Sequence, residues 1–360
     1  MTCMPGNQEP RTNFTSQIFE CLEENLQRDP KFMVMGLGVN DPKGVFGTTT
    51  NLSKKFGNNR VIETPTSENA MTGIGVGLAI SGFKPLMVHQ RLDFFLLAMD
   101  QLVNSAAKWH YMFGGQQSVP LTIRLIIGRG WGQGPTHSQN LHAWFTHIPG
   151  LKVVMPAFAG DVKQLLQSSI DDPNPVLFIE DRWCHVQEVE RSEISNKKLP
   201  LGKAEVVKEG KDITIVSAGF STIQCLRAIS ALEANGIYAE LIDLKTLKPL
   251  DKDAIRKSIL KTGRLLVVDS GSPISSFASE VISLISRESF SSLKQAPQMI
   301  TAPDVPEPTS HGVIGQFKFD SYTIASVAGT MLNREINTRD LEALRIFPID
   351  VPNSDFMGPF

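Results

Sequence analysis

The sequence has few cysteines and lacks long apolar runs. Only four of its 360 residues are cysteines, at Cys3, Cys21, Cys184 and Cys225. These positions are too far apart for zinc-ligand pairs or a disulfide framework, and they are typical of free thiols in a reducing compartment. No segment approaches the roughly 20 consecutive apolar residues of a membrane span, so we expect no membrane-spanning segment.

A large excess of charge of one sign is also missing. The chain carries 35 Lys and Arg against 37 Asp and Glu, for a formal net charge of -2. Its basic residues are scattered, which excludes the electrostatic footprint of a nucleic-acid-binding protein. With 41% hydrophobic and 20% charged residues, the composition is that of a globular chain with room for two domains.

The N-terminal segment shows no targeting signal. Residues 1–8 lack an apolar core and a small-residue cleavage site. The first charged residues, Glu9 and Arg11, have opposite signs, unlike those of an organellar transit peptide. Together with the free thiols, this predicts a cytoplasmic protein.

Nucleotide-binding glycine motifs are absent. The glycines of residues 73–77 lack dinucleotide-fingerprint spacing and lie within an apparent helix, and residues 36–38 do not lead into a helix. No loop ends in Gly-Lys-Ser or Gly-Lys-Thr either. We therefore interpret residues 73–77 as close packing of a helix against a sheet.

Helical and extended patterns alternate along the chain. Phe14, Ile18, Leu22 and Leu26 recur at helical spacing, and residues 31–36 read as a buried strand. Further strands are predicted at 60–62, 119–127, 152–155, 213–218, 238–242 and 264–268, and helices at 93–109, 161–170, 223–234, 253–260 and 277–285. This alternation predicts an α/β fold with parallel sheets.

Two globular units and a tail are expected. Residues 187–200 are rich in charged side chains and poor in apolar ones, as in a solvated linker. We predict a first domain at 1–190, a linker at 191–203 and a second domain at 204–338. The segment 339–360 contains three prolines and is expected to be an extended tail.

The candidate chemistry lies in two segments. Glu68 follows the extended residues 60–62 and begins a small-residue helix, and a glycine-rich loop at 128–134 is followed by His137. A carboxylate in a first helical turn can be a simple cap that contributes about 0.3–1 kcal/mol. A single loop histidine can equally be an exposed bystander. The residues alone leave these alternatives open.

Five motifs carry a resemblance to a known family. The chain resembles the β subunit of the thiamine-diphosphate-dependent first component of 2-oxo acid dehydrogenases, of the pyruvate or branched-chain type. The similarity extends from about residue 15 to 332 and is densest at residues 63–68, 100–108, 136–139, 147–154 and 302–306. It implies a pyrimidine-binding α/β domain followed by a transketolase C-terminal-like domain.

The resemblance also implies roles for three residues. The glutamate matching Glu68 hydrogen-bonds the cofactor's aminopyrimidine and favours the imino tautomer that removes the thiazolium proton. Phe94 matches the aromatic residue that stacks on this ring. The alternative is that Phe94 is a residue of the apolar core, as is typical of a phenylalanine in an apolar helical stripe. His137 matches a histidine that shuttles a proton or orients the bound intermediate.

The other half of the cofactor site is missing from the sequence. Related enzymes hold the diphosphate and Mg²⁺ with a Gly-Asp-Gly motif, which this chain lacks. The resemblance therefore implies an α subunit that carries this site, in an assembly of two α and two β subunits. We predict no metal site in this chain, because the five-residue spacing of His137, His142 and His147 would place their rings on different helix faces.

The substrate neighbourhood departs from the family pattern. His89 and Arg91 replace part of an acidic and aromatic segment, and Arg129 lies in a glycine loop that usually carries small residues. Arg91 or Arg129 is expected to pair with a carboxylate, phosphate or polar acceptor. A salt bridge to Asp93 or another neighbour is the alternative.

Three functions remain open at this point. The first is a dehydrogenase β subunit that decarboxylates a 2-oxo acid, with its α partner, and passes the acyl group to the lipoyl group of an acyltransferase. The second is a transketolase-like carboligase with an aldehyde or sugar acceptor. The third is a non-catalytic assembly subunit, which the presence of both Glu68 and His137 disfavours.

Overall fold

Two large β-sheets, a small two-stranded antiparallel sheet and the helices around them make up the part of the molecule that the structure describes. The computed structural model describes residues 11–194, 197–317 and 320–344. The strands are β1 (Arg11–Asn13), β2 (Phe32–Gly36), β3 (Val61–Glu63), β4 (Lys84–His89), β5 (Thr122–Ile127), β6 (Lys152–Val154), β7 (Val176–Asp181), β8 (Glu188–Glu190), β9 (Glu205–Lys208), β10 (Ile213–Ser217), β11 (Ala239–Asp243), β12 (Thr246–Lys248), β13 (Leu265–Val268) and β14 (Gln298–Ile300).

Helices connect most of these strands. They are α1 (Phe14–Arg28), α2 (Leu52–Phe56), α3 (Glu68–Ile80), α4 (Leu92–Phe95), α5 (Ala107–Met112), α6 (His142–His147), α7 (Ala159–Ile170), α8 (Phe220–Ala234), α9 (Lys252–Thr262), α10 (Phe277–Glu288), α11 (Ser321–Met331) and α12 (Thr338–Glu342). Short 3-10 and π-helical segments occur among them.

The sheets are mostly parallel, as predicted. The first has seven strands in the order β12-β6-β7-β5-β4-β2-β3, and the second has five in the order β14-β13-β10-β11-β9. Each has one antiparallel edge strand, β12 and β9 respectively. Strands β2, β5, β7, β10 and β11 are buried throughout, because helices cover both faces of such sheets. The predicted α/β fold is confirmed.

One strand links the two halves of the molecule. β12 follows β11 of the second sheet in the chain, yet it pairs with β6 of the first. A continuous apolar core also contains residues of both sheets, including Leu125 and Ile242. The two halves are therefore held together by backbone hydrogen bonds and by shared apolar burial.

Most predicted elements lie where the periodicity placed them, with two corrections. The helix expected at 93–109 is instead α4, a 3-10 turn at Leu96–Ala98, a π-helical segment at Gln101–Ala106 and α5, because altered turns interrupt it. Thr338–Glu342 forms α12, with an Asn337 cap, where we expected the extended tail to begin. The rest of that tail, residues 345–360, lies outside the described residues.

The glycines of α3 allow this helix to approach the first sheet closely. A Cβ added at Gly75 would lie 2.6 Å from the Met87 sulfur on β4, and one at Gly73 would lie 3.3 Å from Gln101 Oε1. This contact supports the interpretation of residues 73–77 as a packing motif. It also brings the first turn of α3 beside the end of β4.

Three of the cysteines are buried free thiols. These are Cys21, Cys184 and Cys225, whereas Cys3 lies outside the described residues. Burial raises the pKa of the Cys21 and Cys225 thiols to about 12, so both stay protonated and unreactive near neutral pH. Within the described parts of the chain, we find no helix both long and apolar enough to cross a membrane.

Candidate active site

A pocket opens where β2 and β4 end, and its space, part of it open to solvent, is about 410 Å³. Strands β2 and β4 are parallel neighbours in the first sheet, so their carboxyl ends meet at one edge. This edge brings together Glu68, His89 and Phe94, three of the predicted site residues. The full lining is Gly36, Leu37, Thr64, Pro65, Glu68, Met71, Met87, Val88, His89, Gln90 and Phe94.

Glu68 is the first residue of α3 and is half-buried in this pocket. The preceding N-cap residue, Ser67, makes no side-chain capping bond. Among the described residues we find no hydrogen bond or ion pair to the Glu68 carboxylate. By contrast, Glu63 accepts hydrogen bonds from the Gly38 and Asn40 amides, at 2.6 and 2.9 Å. Glu63 thus shapes the wall, and Glu68 offers free acceptor oxygens to a ligand.

His89 presents a neutral ring to the same pocket. Burial lowers its pKa to about 4, and its ring packs 4.8 Å from that of Phe95, measured between centroids. Its Nε2 atom is buried and has no hydrogen-bond partner. A buried ring nitrogen of this kind is costly unless a ligand or an ordered water satisfies it. His89 is therefore a candidate hydrogen-bonding group for whatever fills the pocket.

The low pKa of His89 has a measurable consequence for stability. Because the unfolded chain binds a proton near pH 6.5 and the folded chain does not, stability is full above that pH and falls below it. From pH 7 to pH 5 this one group should remove about 2 kcal/mol from the free energy of unfolding.

Urea unfolding of the wild type and of His89→Phe at both pH values measures this contribution. The variant should lose less stability than the wild type over the interval, because its ring cannot take up a proton in the unfolded state. An identical pH dependence in the two proteins would show that His89 does not have this depressed pKa.

His137 lies beside the pocket through its contact with Phe94. The two rings meet edge to face with centroids 5.4 Å apart. The Thr136 hydroxyl lies 3.0 Å from His137 Nδ1. In the described part of the chain, Nε2 has no such partner, which makes it the ring atom available for proton exchange. The geometry thus groups His137 with Glu68, His89 and Phe94.

Arg91 and Asp93 hold the backbone at His137 and just after it. Arg91 is buried, and its Nη1 donates a 2.6 Å hydrogen bond to the His137 carbonyl. Asp93 Oδ1 accepts from both the backbone and side-chain amides of Gln139, at 3.2 and 2.9 Å. The structure therefore places Arg91 on the loop backbone, where it positions His137.

Replacing Arg91 by Met should loosen the His137 loop. A hydrogen bond from a charged donor contributes about 1.5–3 kcal/mol, so we expect faster amide exchange at residues 137–139 and a roughly tenfold lower kcat in the assembled enzyme. Arg91→Lys should recover part of the protection from amide exchange and part of the kcat. The matched control is Arg256→Met on α9, where the arginine is exposed and should affect neither. Unchanged exchange and kinetics in Arg91→Met would remove the positioning role.

Arg129 lies in a different place. Its Nη1 is 3.3 Å from Glu307 Oε1, and its guanidinium lies 5.7 Å from the centre of the Phe317 ring. It lines a second cleft and is absent from the lining of the Glu68 pocket. The structure does not bring Arg129 together with the other predicted site residues.

Arg182 was not singled out from the sequence, although it follows a buried strand directly. Its Nη2 donates to the Gly128 carbonyl and to Gln133 Oε1, and its guanidinium lies 4.8 Å from the centre of the Trp131 ring. Burial, and next the charge of Arg91, lower the pKa of Arg182 to about 9. Arg182 thus supports the glycine loop that leads to His137.

No cluster of three His, Cys, Asp or Glu side chains suited to a metal ion occurs within residues 11–194, 197–317 and 320–344.

Two family matches cover most of the chain. Residues 12–183 match the transketolase pyrimidine-binding domain, and residues 202–324 match the transketolase C-terminal domain. The first match contains β2 to β7 of the first sheet, and the second contains all five strands of the second sheet together with β12, which crosses over to the first.

Curated relatives are similar over about four fifths of the chain. The pyruvate dehydrogenase E1 component subunit beta of Rhizobium meliloti is 39% identical over 80% of this chain, although the match spans only 63% of that longer relative. The acetoin:2,6-dichlorophenolindophenol oxidoreductase subunit beta of Cupriavidus necator is 38% identical, covering 81% of this chain and 89% of the relative. The mitochondrial pyruvate dehydrogenase E1 component subunit beta-1 of Arabidopsis thaliana is 40% identical over 80% of each chain.

A solved structure shares the fold. It is a split-gene transketolase described as an inactive beta4 tetramer, with a TM-score of 0.72, 23% identity, and coverage of 89% of this chain and 98% of that one. The pyrimidine-binding and C-terminal domains occur in the family's order, and the Arabidopsis and Cupriavidus relatives are matched over most of their length. The chain therefore belongs to the family of the E1 β subunits of pyruvate dehydrogenase and related 2-oxo acid dehydrogenases.

Proposed function

We propose that this chain is the β subunit of a thiamine-diphosphate-dependent 2-oxo acid dehydrogenase of the pyruvate type. With an α subunit it decarboxylates a 2-oxo acid and transfers the acyl group to a lipoyl carrier. One observation carries the proposal: the Glu68 carboxylate lies without a partner, among the described residues, in a pocket beside Phe94 and next to His137.

The pocket fits the aminopyrimidine ring of this cofactor. Leu37, Met71 and Met87 provide apolar walls, and Phe94, 37% exposed, provides a flat face at the mouth. Glu68 and the unpartnered Nε2 of His89 provide the polar contacts. These residues would hold the ring. Thiamine diphosphate, when bound, supplies the nucleophilic carbon and the electron sink for decarboxylation.

The chain's own residues then have distinct tasks. The Glu68 carboxylate would accept a hydrogen bond from an N–H group of the bound ring and would take up the proton of that bond when the ring releases it, and the partly enclosed pocket would strengthen this bond. His137 exchanges a proton at Nε2, for which an imidazole is suited near neutral pH. Arg91 keeps the His137 backbone in place.

The site is completed by a partner subunit. Apolar side chains are exposed on α3 and just after α4, where Ile74 is 51% and Leu97 is 68% exposed. They lie on the helix that begins with Glu68 and on the 3-10 turn that follows Phe94, and exposed apolar side chains beside a site are typical of a subunit interface. The sequence also lacks the Gly-Asp-Gly motif. An α subunit therefore holds the diphosphate and Mg²⁺, in a heterotetramer of two α and two β subunits.

Reconstitution tests this assignment. The chain is expected to show no turnover alone, and to decarboxylate 2-oxo acids when it is co-expressed with an α subunit and given thiamine diphosphate and Mg²⁺. Pyruvate, branched-chain 2-oxo acids and acetoin are compared, with a lipoyl domain, an artificial electron acceptor or an aldehyde as acceptor. Turnover by the isolated chain would contradict the proposal. Transfer only to the aldehyde would favour a carboligase, and inactivity with every acceptor would favour an assembly subunit.

We also propose a cytoplasmic location and a lipoyl acyltransferase as a further partner. The buried free thiols support a reducing compartment. The relative from Arabidopsis is named as mitochondrial and that from Rhizobium is not. Cell fractionation with an antibody to the chain tests the location, and co-purification of an acyltransferase from the same fraction tests the partner.

A further inference from the structure

A second cleft lies between the two halves of the molecule and shares no lining residue with the Glu68 pocket. It encloses about 660 Å³, part of it open to solvent. One wall is the segment 138–141, which directly follows His137. The other consists of residues 270–272 and 302–307, which follow β13 and β14. The carboxyl ends of adjacent parallel strands are a common position for ligand sites.

Three polar atoms in this cleft are buried and have no hydrogen-bond partner among the residues that the structure describes. They are Ser138 Oγ, Asn140 Oδ1 and Ser270 Oγ. Ser138 is only 5% exposed to solvent, and Ser270 is only 8% exposed. Asn140 Nδ2 donates to the Ser270 carbonyl at 3.3 Å, so the three groups lie on one connected strip across the cleft. Native proteins rarely leave several neighbouring buried polar atoms unsatisfied.

The charged groups of the cleft already have partners. Arg129 is paired with Glu307 at 3.3 Å, and the Asp304 carboxylate, which does not itself line the cleft, accepts a 3.1 Å hydrogen bond from Ser272. The remaining lining includes the apolar Leu141 and Pro303, and also Gln139, whose side-chain amide donates to Asp93. The cleft therefore offers two hydroxyl groups, one amide oxygen and apolar surface, with no unpaired ion among these charged residues.

We infer that this cleft is a second ligand site, which binds a small uncharged molecule carrying several hydroxyl groups. An O–H group of the ligand donates to Asn140 Oδ1, and the Ser138 and Ser270 hydroxyls each donate to or accept from further ligand hydroxyls. The C–H surface of the ligand packs against Leu141 and Pro303. This site goes beyond the proposed function, because neither Glu68 nor the cofactor takes part in it.

Binding should restrain the loop that carries His137. A ligand held by Ser138, Asn140 and Ser270 joins this loop to the second half of the molecule through new hydrogen bonds. The amides of residues 136–141 and 270–272 should then exchange their hydrogens more slowly. The effect is a property of the binding site and can be measured in the absence of catalysis.

Hydrogen exchange of the full chain with erythritol tests the inference, with butan-1-ol as the four-carbon control that lacks most of the hydroxyls. Erythritol should slow exchange in both segments with a millimolar affinity, and butan-1-ol should not. The double variant Ser138→Ala/Ser270→Ala should bind roughly tenfold more weakly, and Ser283→Ala, an exposed serine on α10, should bind like the wild type.

The serine variants are expected to fold, because each removes a buried hydroxyl that has no partner. Asn140→Leu provides a second loss of binding at a different atom. A crystal structure of the full chain with erythritol should show the polyol against the three polar atoms. The inference is overturned if erythritol leaves hydrogen exchange unchanged, or if the double variant responds to erythritol like the wild type. It is also overturned if the crystal shows ordered water at the three polar atoms, or an adventitious additive only.

Discussion

Replacing Glu68 by Gln is expected to lower kcat of the reconstituted α/β enzyme by about 10²–10⁴-fold. Gln keeps the shape of the side chain but cannot hold a proton or accept a hydrogen bond with full negative charge. The pocket geometry predicts this result, because the carboxylate faces a space lined by His89 and Phe94 and has no partner within the described residues. Steady-state kinetics with pyruvate and an artificial electron acceptor measure the loss.

Kinetics measured beside stability separate this role from helix capping. A carboxylate that only interacts with the helix dipole contributes about 0.3–1 kcal/mol to folding and nothing specific to turnover. Glu68→Gln should therefore leave the free energy of unfolding nearly unchanged. Glu280→Gln is the matched control, since Glu280 lies in the first turn of α10. Glu280→Gln should show the same small change in the free energy of unfolding as Glu68→Gln, but it should keep full activity. If Glu68→Gln and Glu280→Gln have equal kcat values, Glu68 is only a cap.

Replacing Arg124 by Met should be the most destabilising single change in the scaffold beneath the site. Arg124 on β5 donates to both Glu180 oxygens on β7, at 2.5 and 2.9 Å, and to the Thr48 hydroxyl at 3.0 Å. His185 lies 3.2 Å from the same carboxylate. Both members of the ion pair are fully buried. Removing one partner leaves a buried charge uncompensated, which typically costs about 3–5 kcal/mol.

The pH dependence identifies the cause of this loss. Burial raises the pKa of Glu180, but Arg124 and His185 outweigh it, so the pKa lies below its ordinary value. In the wild type this interaction stabilises the fold above the unfolded carboxyl pKa and is lost as the pH falls through the folded pKa. In Arg124→Met the buried carboxyl takes up a proton more readily, so the penalty should shrink as the pH falls from 7 to 5.

A double variant completes the measurement. Arg124→Met/Glu180→Gln removes the unpaired charge and should recover part of the lost free energy, as measured by urea unfolding at pH 7. If the single and double variants are equally unstable, the loss comes from packing around Arg124. If the single variant is as stable as the wild type, the buried pair does not support the sheet.

The first domain shows how far sequence reasoning reached. The spacing of Phe14, Ile18 and Leu22 predicts α1, because a buried helix face repeats every three or four residues. The same reasoning wrongly predicted one continuous helix at residues 93–109. Apolar spacing does not distinguish an α-helix from a segment with π-helical and 3-10 turns. Which helical hydrogen bonds form there depends on packing against α3 and the sheet.

The sequence named the candidate site residues, whose chemical roles stay predictions, and it indicated only part of their arrangement. Glu68, Phe94 and His137 come from motif resemblance, and the structure places them around one pocket mouth. Arg91 or Arg129 was expected to pair with a ligand group, with a salt bridge to a neighbour as the alternative. The structure places Arg91 on the His137 backbone and pairs Arg129 with Glu307, because the partners lie far away in the sequence.

The sequence by itself determined the class of fold, the order of its helices and strands, and the side chains able to do the chemistry. These properties depend on neighbouring residues, through periodicity, turn chemistry and short motifs. Only the tertiary structure decided that His89 joins Glu68 in one pocket, and that Ser138 and Ser270 meet across a second cleft. The physical reason is that strand order, with β2 beside β4 and β12 beside β6, sets which distant residues become neighbours.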